Sequence, residues 1–200
     1  MIAILNYGLG NLHSVRKAVE FVGGKSIVTD EPKVILQAEK LILPGVGAFE
    51  DGMMGLEASG LIPPLLEATQ RGIPLLGICL GMQLLFDESE EQGRHKGLGL
   101  LKGKVIFFKQ PGIKVPQIGW NQVQIQKDTA LFTGIKNGDY FYFNHGYYCA
   151  PDNSEVVATM TDYGLPFASA VESGNIFGVQ FHPEKSQKLG LQILKNFVEM

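Results

Sequence analysis

Pro74-Leu-Leu-Gly-Ile-Cys-Leu-Gly-Met-Gln83 sets the architecture expected of the whole chain. A short apolar run ends in Gly77-x-Cys79-x-Gly81 and passes directly into Met82, Gln83, Leu84, Leu85 and Phe86, which predicts a buried strand turning sharply into a helix. Glycines at 77 and 81 remove the Cβ atoms that would clash where a strand and a helix meet at so tight a corner. The side chain between them is then left exposed above the sheet in a strained conformation. Such a corner is a nucleophile elbow. A thiol placed there sits at a helix N-terminus, where unpaired backbone N–H groups favour thiolate over thiol. The competing reading makes Cys79 a small buried hydrophobe, the usual fate of a free cysteine.

Upstream of the elbow, strand and helix patterns alternate at the spacing of parallel βαβ units. Strands are expected at Ile2–Tyr7, Lys25–Thr29 and Lys40–Pro44, and helices at Leu12–Val22, Pro32–Ala38 and Leu61–Gln70, the last with Pro63 and Pro64 in its first turn. Gly8-x-Gly10 begins like a dinucleotide fingerprint, but the third position holds His13, so a turn after the first strand is expected instead. The third strand runs into Pro44-Gly45-Val46-Gly47. Two glycines there free the backbone to turn N–H groups outward, as half of an oxyanion hole completed by the N–H of Leu80. An ordinary strand-ending turn uses the same residues.

Downstream, the acidic run Asp87–Glu91 and the glycine-rich Gly93–Gly103 are expected to form an exposed loop, with Glu91 near enough to the elbow to hold an ammonium group. From Lys104 the pattern becomes β-rich, with short strands expected at Lys104–Phe108, Asn121–Gln126, Asp139–Tyr148, Glu155–Thr161, Phe167–Glu172 and Ile176–Phe181. Ser186–Met200 closes as an amphipathic helix with a stripe of Leu189, Ile193, Leu194, Phe197 and Val198. The expected fold class is therefore α/β: one domain over residues 1–200, with a central mixed, mostly parallel sheet flanked by helices and antiparallel strands added in the second half.

Two hundred residues with 45% hydrophobic content suit one full core. A formal net charge of −3 offers no basic surface for nucleic acid. The start Met1–Tyr7 has no basic region or cleavage site, and no apolar run approaches a membrane span, so a cytoplasmic domain is expected. Cys79 and Cys149 are the only two cysteines, without CxxC or paired histidine spacing, so neither a disulfide framework nor a metal nor another cofactor is expected.

A thiol nucleophile needs a base and an orienter, and the strand Ile176–Phe181 leads into His182-Pro183-Glu184. Spacing by two sets both side chains on one side if the backbone stays extended, which Pro183 favours at His182. A strand-end histidine bonded to a nearby acid is the structural alternative. His13 and His95 read as surface residues. His145, within Tyr142-Phe-Asn-His-Gly-Tyr147, reads either as a backbone contributor to the site or as part of an aromatic core.

Cys79 in GICLGMQ, His182 and Glu184 in FHPEKS, and the PGVG turn resemble the class I (triad) glutamine amidotransferases. More closely, NYGLGNLHSV, LILPGVGAF, VPQIGWN and YFYFNHGYY resemble the glutaminase subunits of imidazole glycerol phosphate synthase, over Ile2 to Ser186. The resemblance implies a triad that hydrolyses glutamine to glutamate and ammonia, with Cys79 as nucleophile, His182 as general base and Glu184 as its orienter. It further implies oxyanion N–H groups from Leu80 with Val46 or Gly47, and substrate held by Gln83, Glu91 and the backbone of Asn144, His145 and Gly146. Ammonia would pass to a cyclase subunit of (β/α)8-barrel form past Trp120 and Asn121 at the mouth, with Lys185 facing the partner. The chain departs from that family at Gln117, where histidine is usual, and at Asn144 and Gly146, where valine and serine are commoner. These positions keep open a paralogous glutaminase feeding another synthase; a cysteine hydrolase or an inactive scaffold of the same architecture are the other readings.

Overall fold

Alternate residues of the first strand enter different cores, as a strand covered on both faces requires. In a computed structural model describing residues 1–200, β1 (Ile2–Leu5) sends Ile2 and Ile4 into one buried cluster and Ala3 and Leu5 into the other. It pairs in parallel with β2 (Ser26–Thr29) and β3 (Lys40–Gly45), and β3 pairs in parallel with β4 (Leu75–Cys79). The connections are helical: α1 (Leu12–Phe21) lies against the first cluster, while α2 (Pro32–Gln37), α3 (Phe49–Ala58) and α4 (Ile62–Gln70) bury Ile35, Leu56 and Leu65 in the second. Each large aliphatic side chain so buried contributes about 1.5–3 kcal/mol.

After β4 the chain forms α5 (Leu80–Leu84), then β5 (Phe86–Ser89), β6 (His95–Lys96) and β7 (Leu101–Phe107). Next come β8 (Gln117–Gln122), β9 (Gln124–Ile125), β10 (Tyr140–His145), β11 (Tyr147–Pro151), β12 (Val157–Asp162), β13 (Pro166–Ser173), β14 (Ile176–Val179) and α6 (Gln187–Glu199). Twelve strands make one sheet in the order β2-β1-β3-β4-β14-β13-β11-β7-β5-β6, with β12 and β9 joined at β13. β10 and β8 form a separate antiparallel pair. β14 returns from the end of the chain to lie parallel to β4, and the strands beyond it, except the β5–β7 pair, are antiparallel. α6 packs its stripe into the first cluster, and its buried Asn196 is satisfied by the carbonyls of Leu131 and Thr133 at 2.8 Å each. Lys40 Nζ donates to the last carbonyls of α6, those of Phe197 and Val198. No helix is long and apolar enough to cross a membrane.

The local expectations are corrected at five points. α3 was not among the expected elements; its two glycines are packing positions, Gly52 against Leu80 and Leu84 and Gly55 against Tyr7. The helix after the elbow stops at Leu84, and the acidic run is not a loop: Phe86–Ser89 is a strand whose Asp87 and Glu88 pair with Lys102 and Lys104 on β7. The Asp139–Tyr148 strand divides at Gly146, one part in the small pair and the other in the main sheet. His95 is half-buried rather than a free surface residue, with Nδ1 3.6 Å from Glu50 Oε1. Gly8-x-Gly10 forms the expected turn, followed by Asn11, whose side chain caps α1 at Ser14.

Candidate active site

Cys79 ends β4 with φ 55° and ψ −110°, a conformation that costs a non-glycine residue about 1–3 kcal/mol. The flanking glycines are required by contact: a Cβ on Gly77 would stand 2.7 Å from the carbonyl oxygen of Gly81, and one on Gly81 would run into the carbonyl of Leu43. Burial of Leu80, Met82 and Leu84 in the adjoining turn of α5 holds the strained residue in place. The strand-to-helix corner expected from the sequence is thus present, with Cys79 at the N-cap of α5, but the side chain is only 5% exposed rather than standing free above the sheet.

Because β14 is parallel to β4, with Gly178 opposite Gly77 and Val179 opposite Ile78, the residues next after each strand emerge at the same end of the sheet. His182 is still extended, with φ −98° and ψ 98°, but Pro183–Lys185 is a 3-10 turn. The extended-spacing argument therefore does not apply to Glu184. The tight turn brings its Oε1 to 2.8 Å from His182 Nδ1, with the two side chains only 2% and 1% exposed. Ser186 braces the turn, its hydroxyl donating to the His182 carbonyl at 2.7 Å and accepting from the Tyr142 N–H at 2.9 Å. Burial alone would lower the pKa of His182. Hydrogen bonds and charge from Cys79 and Glu184 outweigh burial and raise it to about 10. The sulfur and the carboxylate both favour the protonated form of the imidazole.

A cavity of about 220 Å³ opens above this pair. Cys79 and His182 line it together with Val46, Gly47, Leu80, Gln83, Glu91, Asn144, His145 and Gly146, so every residue expected at the oxyanion or substrate positions reaches one space. Gly47 has φ +103° and open space where a Cβ would stand. Glu91 reaches the cavity while its Oε2 accepts the N–H of Phe49 at 2.8 Å, supplying the N-terminus of α3 with the acceptor that Ala48 lacks. His145 belongs to the aromatic core and to the wall of the cavity. Its ring packs between Phe108, Phe143 and Phe167, and burial pushes its pKa down to about 4, while the residue still lines the cavity. Nδ1 donates to the Tyr147 carbonyl at 2.7 Å, since that oxygen can only accept. Cys149 lies fully buried on β11, where burial raises its thiol well above the ordinary range.

Pro116, Tyr147 and Gln180 were missed as neighbours of the site. Only Gln180 carried a signal, as a polar residue inside an otherwise apolar strand. Trp120, Asn121 and Lys185 lie outside the cavity. Trp120 is 46% exposed and meets Tyr142 edge-on at 6.1 Å, and Lys185 Nζ stands 5.8 Å over the same ring. Asn121 donates to the carbonyl of Asp162 at 2.8 Å. Gln117 is buried.

The sequence profile of the family described as glutamine amidotransferase class-I matches residues 3–200. The imidazole glycerol phosphate synthase subunit HisH of Moorella thermoacetica is 54% identical, over 100% of this chain and 94% of its own length. The protein of that name from Syntrophotalea carbinolica is 51% identical over the whole of both chains, and that of Aquifex aeolicus 49% identical over 97% and 94%. Among solved structures, a glutamine amidotransferase superposes with a TM-score of 0.76 at 16% identity, covering 98% of this chain and 97% of its own. A chain in the structure of PurLQS from Thermotoga maritima superposes with a TM-score of 0.72 at 21% identity, covering 98% and 94%. At those identities the superpositions speak to fold.

Proposed function

The chain belongs to the class I glutamine amidotransferases, and from that premise we propose that it is the glutaminase subunit of an imidazole glycerol phosphate synthase. In this reading it hydrolyses glutamine at Cys79 and hands ammonia to a cyclase subunit of (β/α)8-barrel form, which makes imidazole glycerol phosphate and an aminoimidazole carboxamide ribotide. The observation that carries the chemistry is the strained Cys79 sharing one cavity with a His182 whose far nitrogen is fixed by Glu184. The identity of the synthase is supported by full-length relatives of that name at about half identity.

The Cys79 thiolate attacks the side-chain amide carbon of glutamine, and the carbonyl π electrons move onto oxygen. Backbone N–H groups of Leu80 and of Val46 or Gly47 meet that oxyanion. Collapse breaks the C–N bond, and the imidazolium of His182 supplies the proton with which ammonia leaves. The neutral imidazole then takes a proton from water as its oxygen attacks the γ-glutamyl thioester, and glutamate departs as the C–S bond breaks. Glu184 keeps Nδ1 protonated throughout, so that Nε2 alone exchanges protons with the reactants. Glu91 and Gln83 hold the α-amino end of the substrate, and the backbone of Asn144, His145 and Gly146 its carboxylate.

One missing oxyanion donor costs about 10²–10³ in rate, so a turn at Val46-Gly47 that is completed only by the partner keeps the free chain quiet. Little glutaminase activity is therefore expected from the chain alone and full activity from the complex with ribotide bound. Cys79→Ala abolishes ammonia release from glutamine but leaves synthesis from added ammonia intact; a mutant that still hydrolyses glutamine overturns the assignment.

A further inference from the structure

Gln180 lies between β14 and His182 with none of its surface exposed. Its side chain bridges two residues of the site: Nε2 is 3.8 Å from the Cys79 sulfur and Oε1 is 3.1 Å from Gln83 Nε2. A carbonyl two contacts away fixes which end of this amide faces the sulfur. The backbone oxygen of Tyr147 can only accept, so the NH₂ of Gln83, 3.0 Å from it, must face that way. The same NH₂ has a second hydrogen for the oxygen of Gln180, and the NH₂ of Gln180 is left pointing at Cys79. Buried beyond the reach of water, that N–H group has the sulfur as its acceptor.

We propose that Gln180 is a further catalytic residue, whose side-chain amide donates a hydrogen bond to the Cys79 sulfur and stabilises it as the attacking thiolate. A charged acceptor gains more from such a bond than a neutral thiol does, so the donor selects the reactive form. It also occupies one side of the sulfur, leaving the lone pair on the cavity side for the substrate. The inference rests on Cys79 being the nucleophile. The titratable groups around the sulfur are His182 and Glu184 beyond β14, Tyr7 after β1, Cys149 on β11, His145 on β10 and Glu91 across the cavity. All six remain when Gln180 alone is changed.

The test is the pH dependence of Cys79 alkylation by iodoacetamide in the full chain, with folding followed by circular dichroism. Gln180→Met keeps the length of the side chain and removes the donor. It should raise the alkylation midpoint by about one pH unit, a tenfold loss of thiolate at a given pH below it. Gln180→Glu, which places a carboxylate against the sulfur, should raise it further. A merely structural role would lower stability without moving the midpoint, so a folded Gln180→Met with the parent's midpoint overturns the proposal. Should that variant not fold, the side-chain amide proton signals of Gln180 in the unmutated chain decide. They should shift with the thiolate titration and stop shifting in Cys79→Ala; signals indifferent to both overturn it equally. Failure of the underlying reading looks different, because Cys79→Ala would then still hydrolyse glutamine.

Discussion

His182 ties the chemistry of the site to the pH dependence of the fold. Its pKa of about 10 in the folded chain lies above the ordinary 6.5, so the charge interactions stabilise the fold fully below about pH 6.5, where histidine is protonated in both states. That stabilisation is lost as pH rises from about 6.5 through about 10. Urea midpoints should accordingly fall across this window, and His182→Gln should remove the part of the slope below about pH 9, above which the buried Cys149 thiol keeps a fall of its own. In the assembled enzyme, Glu184→Gln should lower kcat by about 10²-fold or more while KM stays near its original value, since the carboxylate acts through the imidazole and not on the substrate. At this scale the site was largely legible, because Cys79, His182 and Glu184 stand out as reactive types at the ends of apolar strands. Tyr147 was not: its contribution to the relay beneath the sulfur is a backbone carbonyl, which any residue could supply.

At the scale of elements, close backbone approach decides what is tolerated. Gly81→Ala drives a methyl group into the Leu43 carbonyl across the β3–α5 contact and should cost about 3 kcal/mol or more, measured by thermal or urea unfolding. Glu91 carries a double duty, at the cavity and at the N-terminus of α3, so Glu91→Ala should both raise KM and destabilise the chain by about 1 kcal/mol. The parallel strands and their helices were legible because their apolar residues recur at regular intervals. α3 and β5 were not, and for opposite reasons. The glycines of α3 obey a neighbour's demand for space, and the acids of β5 find basic partners on a strand more than a dozen residues away. Local pattern contains neither fact.

Over the whole molecule, the exposed pair β8–β10 presents Trp120 and Tyr140 beside the start of α6, around a groove of about 410 Å³. Trp120→Ala should weaken association with the proposed cyclase partner by about 2 kcal/mol or more while leaving the unfolding curve of the free chain unchanged, a pairing that titration calorimetry and urea melts can check. The order of strands in the main sheet was beyond the sequence, because nothing local says that the last strand lies between the fourth and the thirteenth. That placement sets a timetable for biosynthesis. Until β14 has been synthesised, β4 and β13 have no strand between them, and Cys79 lacks His182. On the proposed mechanism the thiol gains its proton-transfer partner only when this segment docks, and until then the two neighbouring strand edges stay open.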